Sequence, residues 1–176
     1  MVPGLVGFRA PLESSLTPEE AVLWLRDDHR PFALSGDWLG GMAVMGSRPV
    51  RVADPGVDDP FSLLDAQPDV QPEFDTADRI RVGGGWVGWL GYGLGARIEE
   101  LPPAPPAPTP QPPFSLAFYD HVILFDCRRW WFEADAWRDP EAQRAFLARV
   151  DRYAAEGPPP PGERTRWQEF RAPHSA

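Results

Sequence analysis

The chain of 176 residues is poor in the residues that build disulfides and metal sites, with one cysteine and three histidines. A single cysteine, Cys127, excludes an internal disulfide and fits a reducing cytosol. The histidines are scattered and offer no metal-ligand spacing. No apolar run reaches the length of a membrane span, and residues 1–10 lack the basic start and apolar segment of a signal peptide. We therefore expect a cytoplasmic protein that has no membrane partner.

Positive charge is also scarce, because 26 acidic residues outnumber 17 basic residues and leave a net charge of −9. This balance disfavours nucleic acid and an anionic membrane surface as partners. Proline, by contrast, is abundant, with 23 copies, eight of them within residues 102–113. We expect that segment to be a stiff, extended connection across the domain surface, with a recognition site for proline-binding modules as the alternative.

Glycine and aromatic residues are concentrated together in residues 83–95, the most distinctive stretch of the chain. The alternation from Trp86 to Tyr92 gives two faces that are both apolar, which is typical of a strand buried on two sides. Glycine inside a strand marks close approach of another backbone or a bulge. The sequence therefore predicts a central strand around which the other elements pack, followed by a helical turn over residues 96–99.

Other elements follow from local signals. Thr17 and Glu20 form a capping box that begins a helix running to about Asp28. Residues 41–46 and 49–53 are predicted to form one hairpin, and residues 114–126 and 130–134 a second. The remaining predicted elements are an extended arm or edge strand (residues 1–16), a short strand (32–34), a short helix starting at Asp59, a long helix (139–157) and a last strand (164–170). Because regular βαβ alternation is absent, we expect an α+β fold with largely antiparallel sheet layers and flanking helices.

Motifs for catalysis are weak. Residues 83–88 match the spacing G-x-G-x-x-G, but the dinucleotide fingerprint needs its glycines after a strand and at the start of a helix. Here they precede a strand, so we interpret them as packing glycines. Asp120 and His121 are neighbours on a predicted strand and should point to opposite faces, which predicts a half-buried His121 that does not pair with Asp120. Cys127 has no base or second cysteine near it in sequence, and we treat it as incidental.

Paired carboxylates and serines add no active site. Asp58-Asp59 and Glu99-Glu100 are interpreted as solvated surface or helix-start features, and no serine lies in a nucleophile-elbow context. The residues alone therefore predict an α+β domain without a self-sufficient catalytic constellation.

Four segments, taken in order, carry a resemblance to one family. They are residues 31–36 (Pro-Phe-Ala-Leu-Ser-Gly), 59–64 (Asp-Pro-Phe-Ser-Leu-Leu), 83–102 (ending Gly-Tyr-Gly-Leu-Gly-Ala-Arg-Ile-Glu-Glu-Leu-Pro) and 118–126 (Phe-Tyr-Asp-His-Val-Ile-Leu-Phe-Asp). Together they resemble the N-terminal region of aminodeoxychorismate synthase component I, within the anthranilate synthase component I family. The resemblance covers about residues 31–126 well. It implies an N-terminal domain over residues 1–170 and, over 171–176, the start of a linker to a chorismate-binding domain that is absent here.

The resemblance implies a transferase that aminates chorismate on the route to p-aminobenzoate and folate, with ammonia from a glutamine amidotransferase partner. It places the catalytic residues and a magnesium site in the absent chorismate-binding domain, so we expect no catalytic residue, metal or cofactor in this chain and no catalysis by the chain alone. Residues 91–99 and 118–121 favour this reading over the N-terminal domain of an anthranilate synthase component I. A free-standing regulatory or binding domain is the third hypothesis.

The family's N-terminal region also contributes to a tryptophan pocket, and Ser35 matches its serine. Leu34 stands where the acidic residue of that pocket is expected, and Gly93 replaces an aspartate of the family pattern. Ser35 is thus the one candidate ligand-binding residue, and closure of a turn by its hydroxyl is the alternative. If the chorismate-binding domain is absent, a large apolar patch should be exposed. Six tryptophans are candidates to line this patch: Trp24, Trp38, Trp86, Trp89, Trp130 and Trp131.

Overall fold

The computed structural model describes residues 8–36, 41–66, 82–100, 102, 111–134, 144 and 148. Within them the strands are β1 (Phe8–Leu12), β2 (Phe32–Ser35), β3 (Ala43–Gly46), β4 (Arg51–Val52), β5 (Gly85–Leu90), β6 (Phe114–Tyr119), β7 (His121–Phe125) and β8 (Trp130–Ala134). The helices are α1 (Pro18–Ala21), α2 (Pro60–Asp65) and two 3-10 helices, Val22–Leu25 and Tyr92–Arg97. No helix of the described residues is long and apolar enough to cross a bilayer.

The strands form two antiparallel sheets. One has five strands in the order β1-β8-β7-β3-β2, and the other has three in the order β4-β6-β5. Every strand pairing in the described residues is antiparallel. The expected α+β class with antiparallel sheet layers is therefore confirmed, as are the edge position of the N-terminal arm (β1) and the hairpin of β7 and β8.

The predicted single strand over residues 114–126 is divided in two at Asp120. β6 lies in the middle of the three-stranded sheet, whereas β7 lies in the middle of the five-stranded sheet. Gly84 packs against the bend, because a Cβ at this position would lie 2.5 Å from the Tyr119 carbonyl oxygen and 3.2 Å from the Asp120 carbonyl carbon. The bend carries the chain from one sheet to the other and fixes how the two sheets meet.

The predicted hairpin of residues 41–46 and 49–53 is wrong. β3 pairs with β2 and β7, whereas β4 pairs with β6 in the other sheet. Asp28 contacts the connection between β3 and β4 at two residues. The Asp28 carboxylate accepts a hydrogen bond from the Ser47 hydroxyl at 2.7 Å and pairs with Arg48, whose φ is 54°.

The glycine-rich strand is not the centre of the fold, which corrects the prediction that β5 is buried on both sides. It is an edge strand, and its side chains become more exposed toward its end, reaching 43% at Trp89 and 45% at Leu90. Its glycines permit close backbone approach but supply no volume to fill a core. That volume comes from β6, which pairs with β5, and from β7, which follows β6 in the chain, since Phe114, Ile123 and Leu124 are fully buried.

Three apolar clusters form the core. The first, between α1 with its following 3-10 helix and the five-stranded sheet, includes Leu12, Trp24, Leu25, Met45, Ile123, Trp130 and Phe132. The second includes Met42, Val44, Val122, Leu124 and Trp131. The third comprises Ala53, Leu94, Phe114 and Leu116, with Phe61, Leu63 and Trp86 packed against them. The third cluster joins α2 to the three-stranded sheet.

The helix starts agree with the sequence better than the helix ends. The predicted capping box is present, because the Thr17 N–H donates to Glu20 Oε2 at 2.9 Å and the Glu20 N–H donates to Thr17 Oγ1 at 3.4 Å. The α-helix then ends at Ala21 and continues as a 3-10 helix to Leu25, short of Asp28. The helical turn predicted for residues 96–99 begins earlier, at Tyr92, as a 3-10 helix.

Several predictions concern segments that lie wholly or partly outside the described residues. The proline-rich connection over 102–113, the last strand over 164–170 and the linker over 171–176 lie wholly or mostly outside the described residues. The helix predicted over 139–157 is described only at Arg144 and Ala148, which are both helical.

Candidate functional site

Ser35, the one predicted ligand-binding residue, lies at the outer edge of the five-stranded sheet. It is the last residue of β2, opposite Ala43, and its side chain is exposed. Leu34 beside it is 48% exposed and lies on the other face of the sheet, opposite Val44. Both positions are accessible to a ligand, and contact of Ser35 with tryptophan stays a prediction.

The four segments that carry the family resemblance contact one another in the structure. Arg97 pairs with Asp59 at 2.8 Å, which joins the glycine-rich segment to the start of α2. β5 pairs with β6 over its whole length, with Trp86 opposite Phe118. The Phe32 ring lies against the Tyr119 ring, with centroids 4.7 Å apart. Segments far apart in sequence therefore form one connected body at the meeting of the two sheets.

Four residues lie where the sheets meet, and we call them the sheet junction: Arg30, Ser115 and Tyr119 are joined by hydrogen bonds, and Phe32 packs on the Tyr119 ring. The Tyr119 hydroxyl donates to the Arg30 carbonyl oxygen at 2.8 Å, and Arg30 Nη2 donates to Ser115 Oγ at 3.2 Å. Burial raises the pKa of Tyr119, although the positive charge of Arg30 acts in the opposite direction. The phenol thus stays protonated around neutral pH and remains a donor to Arg30.

The prediction that Asp120 and His121 do not pair is wrong. His121 Nδ1 lies 2.7 Å from Asp120 Oδ1, and His121 is buried rather than half-buried, with its ring stacked on Phe132. The alternation of side chains holds only inside a strand, and Asp120 lies in the bend between β6 and β7. The bend turns the Asp120 carboxylate toward the His121 ring. The pair lies where the chain passes from the three-stranded to the five-stranded sheet.

The glycines of residues 83–88 do not form a phosphate site. Glu133 Oε2 accepts hydrogen bonds from the N–H groups of Val82 and Gly83, at 2.7 and 3.0 Å. The N–H at the start of the glycine motif is thus held by a carboxylate, whose charge would also repel a pyrophosphate. The interpretation of these glycines as packing residues is supported, because Gly83 and Gly84 come directly before β5 and Gly85 and Gly88 lie within it.

The paired carboxylates over residues 58–59 have separate structural roles. Asp58 binds Arg51 at 2.7 Å, whereas Asp59 caps α2 by accepting from the Ser62 N–H and hydroxyl, each at 2.8 Å. The backbone N–H of Ser62, then its hydroxyl, and the charge of Arg97 hold the pKa of Asp59 below its usual value of 3.8. The interpretation of Asp59 as a helix-start residue is confirmed.

We expect Asp59→Asn to lower stability in a pH-dependent manner. A carboxylate whose pKa is lower in the folded state stabilises the fold above its unfolded pKa, and this contribution is lost as the pH falls through the folded pKa. The wild type should therefore be more stable than the variant near neutral pH, and the difference should shrink below the unfolded value of 3.8. Urea unfolding at a series of pH values measures this, with Asp65→Asn at the other end of α2 as the control. A difference that is unchanged in acid would contradict it.

Of the five candidate tryptophans that the structure describes, three are buried and one is exposed. Trp24, Trp130 and Trp131 are buried, Trp86 is half-buried, and Trp38 lies outside the described residues. Trp89 is exposed, and with Leu90 and Tyr92, which is 94% exposed, it forms an apolar group at the end of β5. We call these three residues the β5 apolar patch. The prediction of an exposed apolar surface is therefore right for one tryptophan and wrong for the three buried ones.

No family model matches the chain, and no curated protein matches it. Among the described residues, no group of three or more His, Cys, Asp or Glu side chains is placed to hold a metal ion.

Two structurally prominent residues, Glu133 and Arg30, were not singled out from the sequence. Glu133 had a signal, because it is the only charged residue in the apolar strand Trp130–Ala134, and a buried carboxylate requires partners. Arg30 had none, because its conformation depends on Tyr119 and Ser115, which are more than 80 residues away in sequence.

Proposed function

We propose that this chain is the N-terminal domain of an aminodeoxychorismate synthase component I. Such an enzyme aminates chorismate toward p-aminobenzoate and folate. In this proposal the chain is non-catalytic by itself, and the chemistry belongs to a chorismate-binding domain outside these 176 residues. A glutamine amidotransferase supplies the ammonia.

The observation that carries the proposal is the order of the four resembling segments together with their contacts. The four segments also contact one another in the fold. Here Asp59 binds Arg97, β5 pairs with β6, and Phe32 packs on Tyr119. The same residues that carry the resemblance are thus the residues that join the elements of the domain.

The β5 apolar patch gives the proposed partner domain a place to bind. Trp89, Leu90 and Tyr92 follow one another closely at the end of an edge strand, and all three are exposed. Exposed apolar side chains of this kind are a feature of interaction sites in soluble proteins. In the proposal, the chorismate-binding domain covers Leu90 and Tyr92, whereas Trp89 lies on the opposite face of the strand from Leu90.

Reconstitution with a separately expressed chorismate-binding domain of an aminodeoxychorismate synthase tests the proposal. With ammonium salt as the ammonia source, we expect no chorismate turnover by the chain alone and faster turnover by the mixture than by the chorismate-binding domain alone. A parallel reconstitution with the chorismate-binding domain of an anthranilate synthase separates the two related enzymes, since we expect the larger gain in turnover with the domain from an aminodeoxychorismate synthase.

Two variants test whether the β5 apolar patch is the surface that contacts the chorismate-binding domain. Tyr92→Ser should reduce the gain in turnover because it removes the most exposed apolar side chain of the β5 apolar patch. Val57→Ser is the matched control, since Val57 is 83% exposed in a turn away from the strand, and it should leave the gain unchanged. Chorismate turnover by the chain alone, or a mixture no faster than the chorismate-binding domain, would refute the proposal.

A further inference from the structure

Arg30 differs from the other arginines that hold fixed partners in this acidic chain. Among the residues that the structure describes, ion pairs with carboxylates are made by Arg9, Arg26, Arg48, Arg51 and Arg97. Arg30 instead donates to a neutral hydroxyl, Ser115 Oγ, and its side chain is exposed. In the described part of the chain, no carboxylate lies within ion-pair distance of it. The remaining donors of its guanidinium fork therefore face solvent without a negative partner.

The backbone of Arg30 is strained. Its φ is 48°, in the left-handed region that arginine rarely adopts. The Tyr119 hydroxyl holds this conformation by donating to the Arg30 carbonyl oxygen. Strain of this kind persists only where surrounding contacts enforce it, and it is concentrated at binding and catalytic sites. The fold thus fixes the Arg30 backbone in this conformation at an energetic cost, and the hydrogen bond to Ser115 Oγ positions the guanidinium.

The exposed indole of Trp89 lies on the same face of the sheet as that guanidinium. Trp89 is directly opposite Ser115 in the register of β5 and β6, and residues opposite each other share a face of the sheet. Arg30 reaches the same face, because it bonds to Ser115. With 43% of Trp89 exposed, one face of the sheet therefore carries both a planar cation and a large ring that solvent reaches.

We propose that Arg30, Ser115 and Trp89 form a binding site for a small aromatic carboxylate. The guanidinium fork matches the two oxygens of a carboxylate, and the indole offers a surface on which an aromatic ring stacks. The Ser115 hydroxyl holds the fork in position. This inference does not depend on the proposed function, since it uses only the geometry of the sheet junction and the end of β5.

Titration with benzoate tests the site. Nuclear magnetic resonance of the ¹⁵N-labelled chain follows the indole N–H of Trp89, assigned with Trp89→Phe, and the Nε–H of Arg30. We expect saturable shifts of both signals with a Kd on the order of millimolar, as suits so small a ligand. Benzamide has the same shape without the charge, and cyclohexanecarboxylate has the charge without the aromatic ring. Both should bind more weakly than benzoate.

Variants separate the two halves of the site. Arg30→Gln should weaken benzoate binding by about tenfold or more, and Trp89→Leu by about threefold, because charged hydrogen bonds exceed ring stacking in strength. Arg26→Gln, which changes another exposed arginine, should leave Kd unchanged. Absence of saturable shifts, equal binding of benzamide and benzoate by the wild type, or an unchanged Kd in a folded Arg30→Gln variant would each overturn the proposal.

Discussion

Glu133→Ala is expected to destabilise the domain by about 3–5 kcal/mol, because it removes a fully buried carboxylate that pairs with Arg9 and accepts hydrogen bonds from two backbone N–H groups. Glu133 is fully buried, and its Oε1 lies 3.2 Å from Arg9 Nε. Its other oxygen accepts from the N–H groups of Val82 and Gly83. The register places Glu133 between Arg9 on β1 and Val122 on β7, and its carboxylate joins β8 to Arg9 and to residues 82–83.

Thermal and urea unfolding measure the effect. For a chain of this length the loss corresponds to a drop in Tm of about 6–20 °C. Glu13→Ala, which removes an exposed glutamate just after β1, is the control and should change stability by less than about 0.5 kcal/mol. Amide exchange should also become faster at Val82 and Gly83 in the Glu133 variant, since both N–H groups lose their acceptor.

A double variant distinguishes the ion pair from simple loss of volume. Replacing both charges with apolar residues, as Arg9→Met with Glu133→Leu, removes the cost of an isolated buried charge. We therefore expect the double variant to be more stable than Glu133→Ala. A loss below about 1 kcal/mol for Glu133→Ala, or a double variant that is no better, would show that the pair contributes little.

Features that depend on neighbouring residues were predictable from the sequence. The capping box of Thr17 and Glu20 and the cap at Asp59 are set within four residues, and both are present. The hairpin of β7 and β8 was predictable for the same reason, because its turn is short and Asp126 bonds the N–H groups of Arg128 and Arg129 inside it.

Features that depend on distant contacts were not predictable. Residues 114–126 read as one uninterrupted strand, and the bend at Asp120 exists because Gly84 packs on it from more than 30 positions away. The same bend brings Asp120 to His121, against the alternation expected of a strand. The sequence also could not reveal that β5 lies at an edge, because periodicity reports which side chains are apolar and not which strand receives a second neighbour.

The candidate site likewise has one part that was predictable from the sequence and one part that was not. The strand that carries Ser35 was predicted from its apolar residues and the following Gly36, and β2 ends at Ser35. The sheet junction was invisible, since it joins Arg30 to Ser115 and Tyr119 through bonds that span more than 80 residues. A local motif is enough to predict a strand such as β2. A site whose residues come from different sheets can be recognised only once the fold is known.

Gly88→Ala is the second substitution with a large expected effect. Gly88 has a φ of 155°, and an added Cβ would overlap the carbonyl oxygen of Ser115 and lie 3.0 Å from Leu116 Cα. These are backbone atoms of the paired strand β6, so they move only if the ladder between β5 and β6 opens. Backbone strain and the forced contact together predict a loss of about 3 kcal/mol or more.

Gly93→Ala is the matched control from the same glycine-rich segment. An added Cβ at Gly93 meets nothing within 4 Å, and Gly93 does not have a positive φ. Alanine should therefore be tolerated there or should stabilise the domain by about 0.4–1 kcal/mol, because it restricts the unfolded chain. Urea unfolding of both variants gives the comparison.

The contrast between the two glycines tests why this segment is rich in glycine. If close approach of β6 requires Gly88, only Gly88→Ala opens the edge strand, and the Trp86 ring, whose centroid lies 5.4 Å from that of Phe118, loses its packing. Tryptophan fluorescence would then shift together with the loss of stability. Equal losses at Gly88 and Gly93 would instead mean that the segment needs glycine for its conformation as a whole, and that contact between β5 and β6 is not the cause.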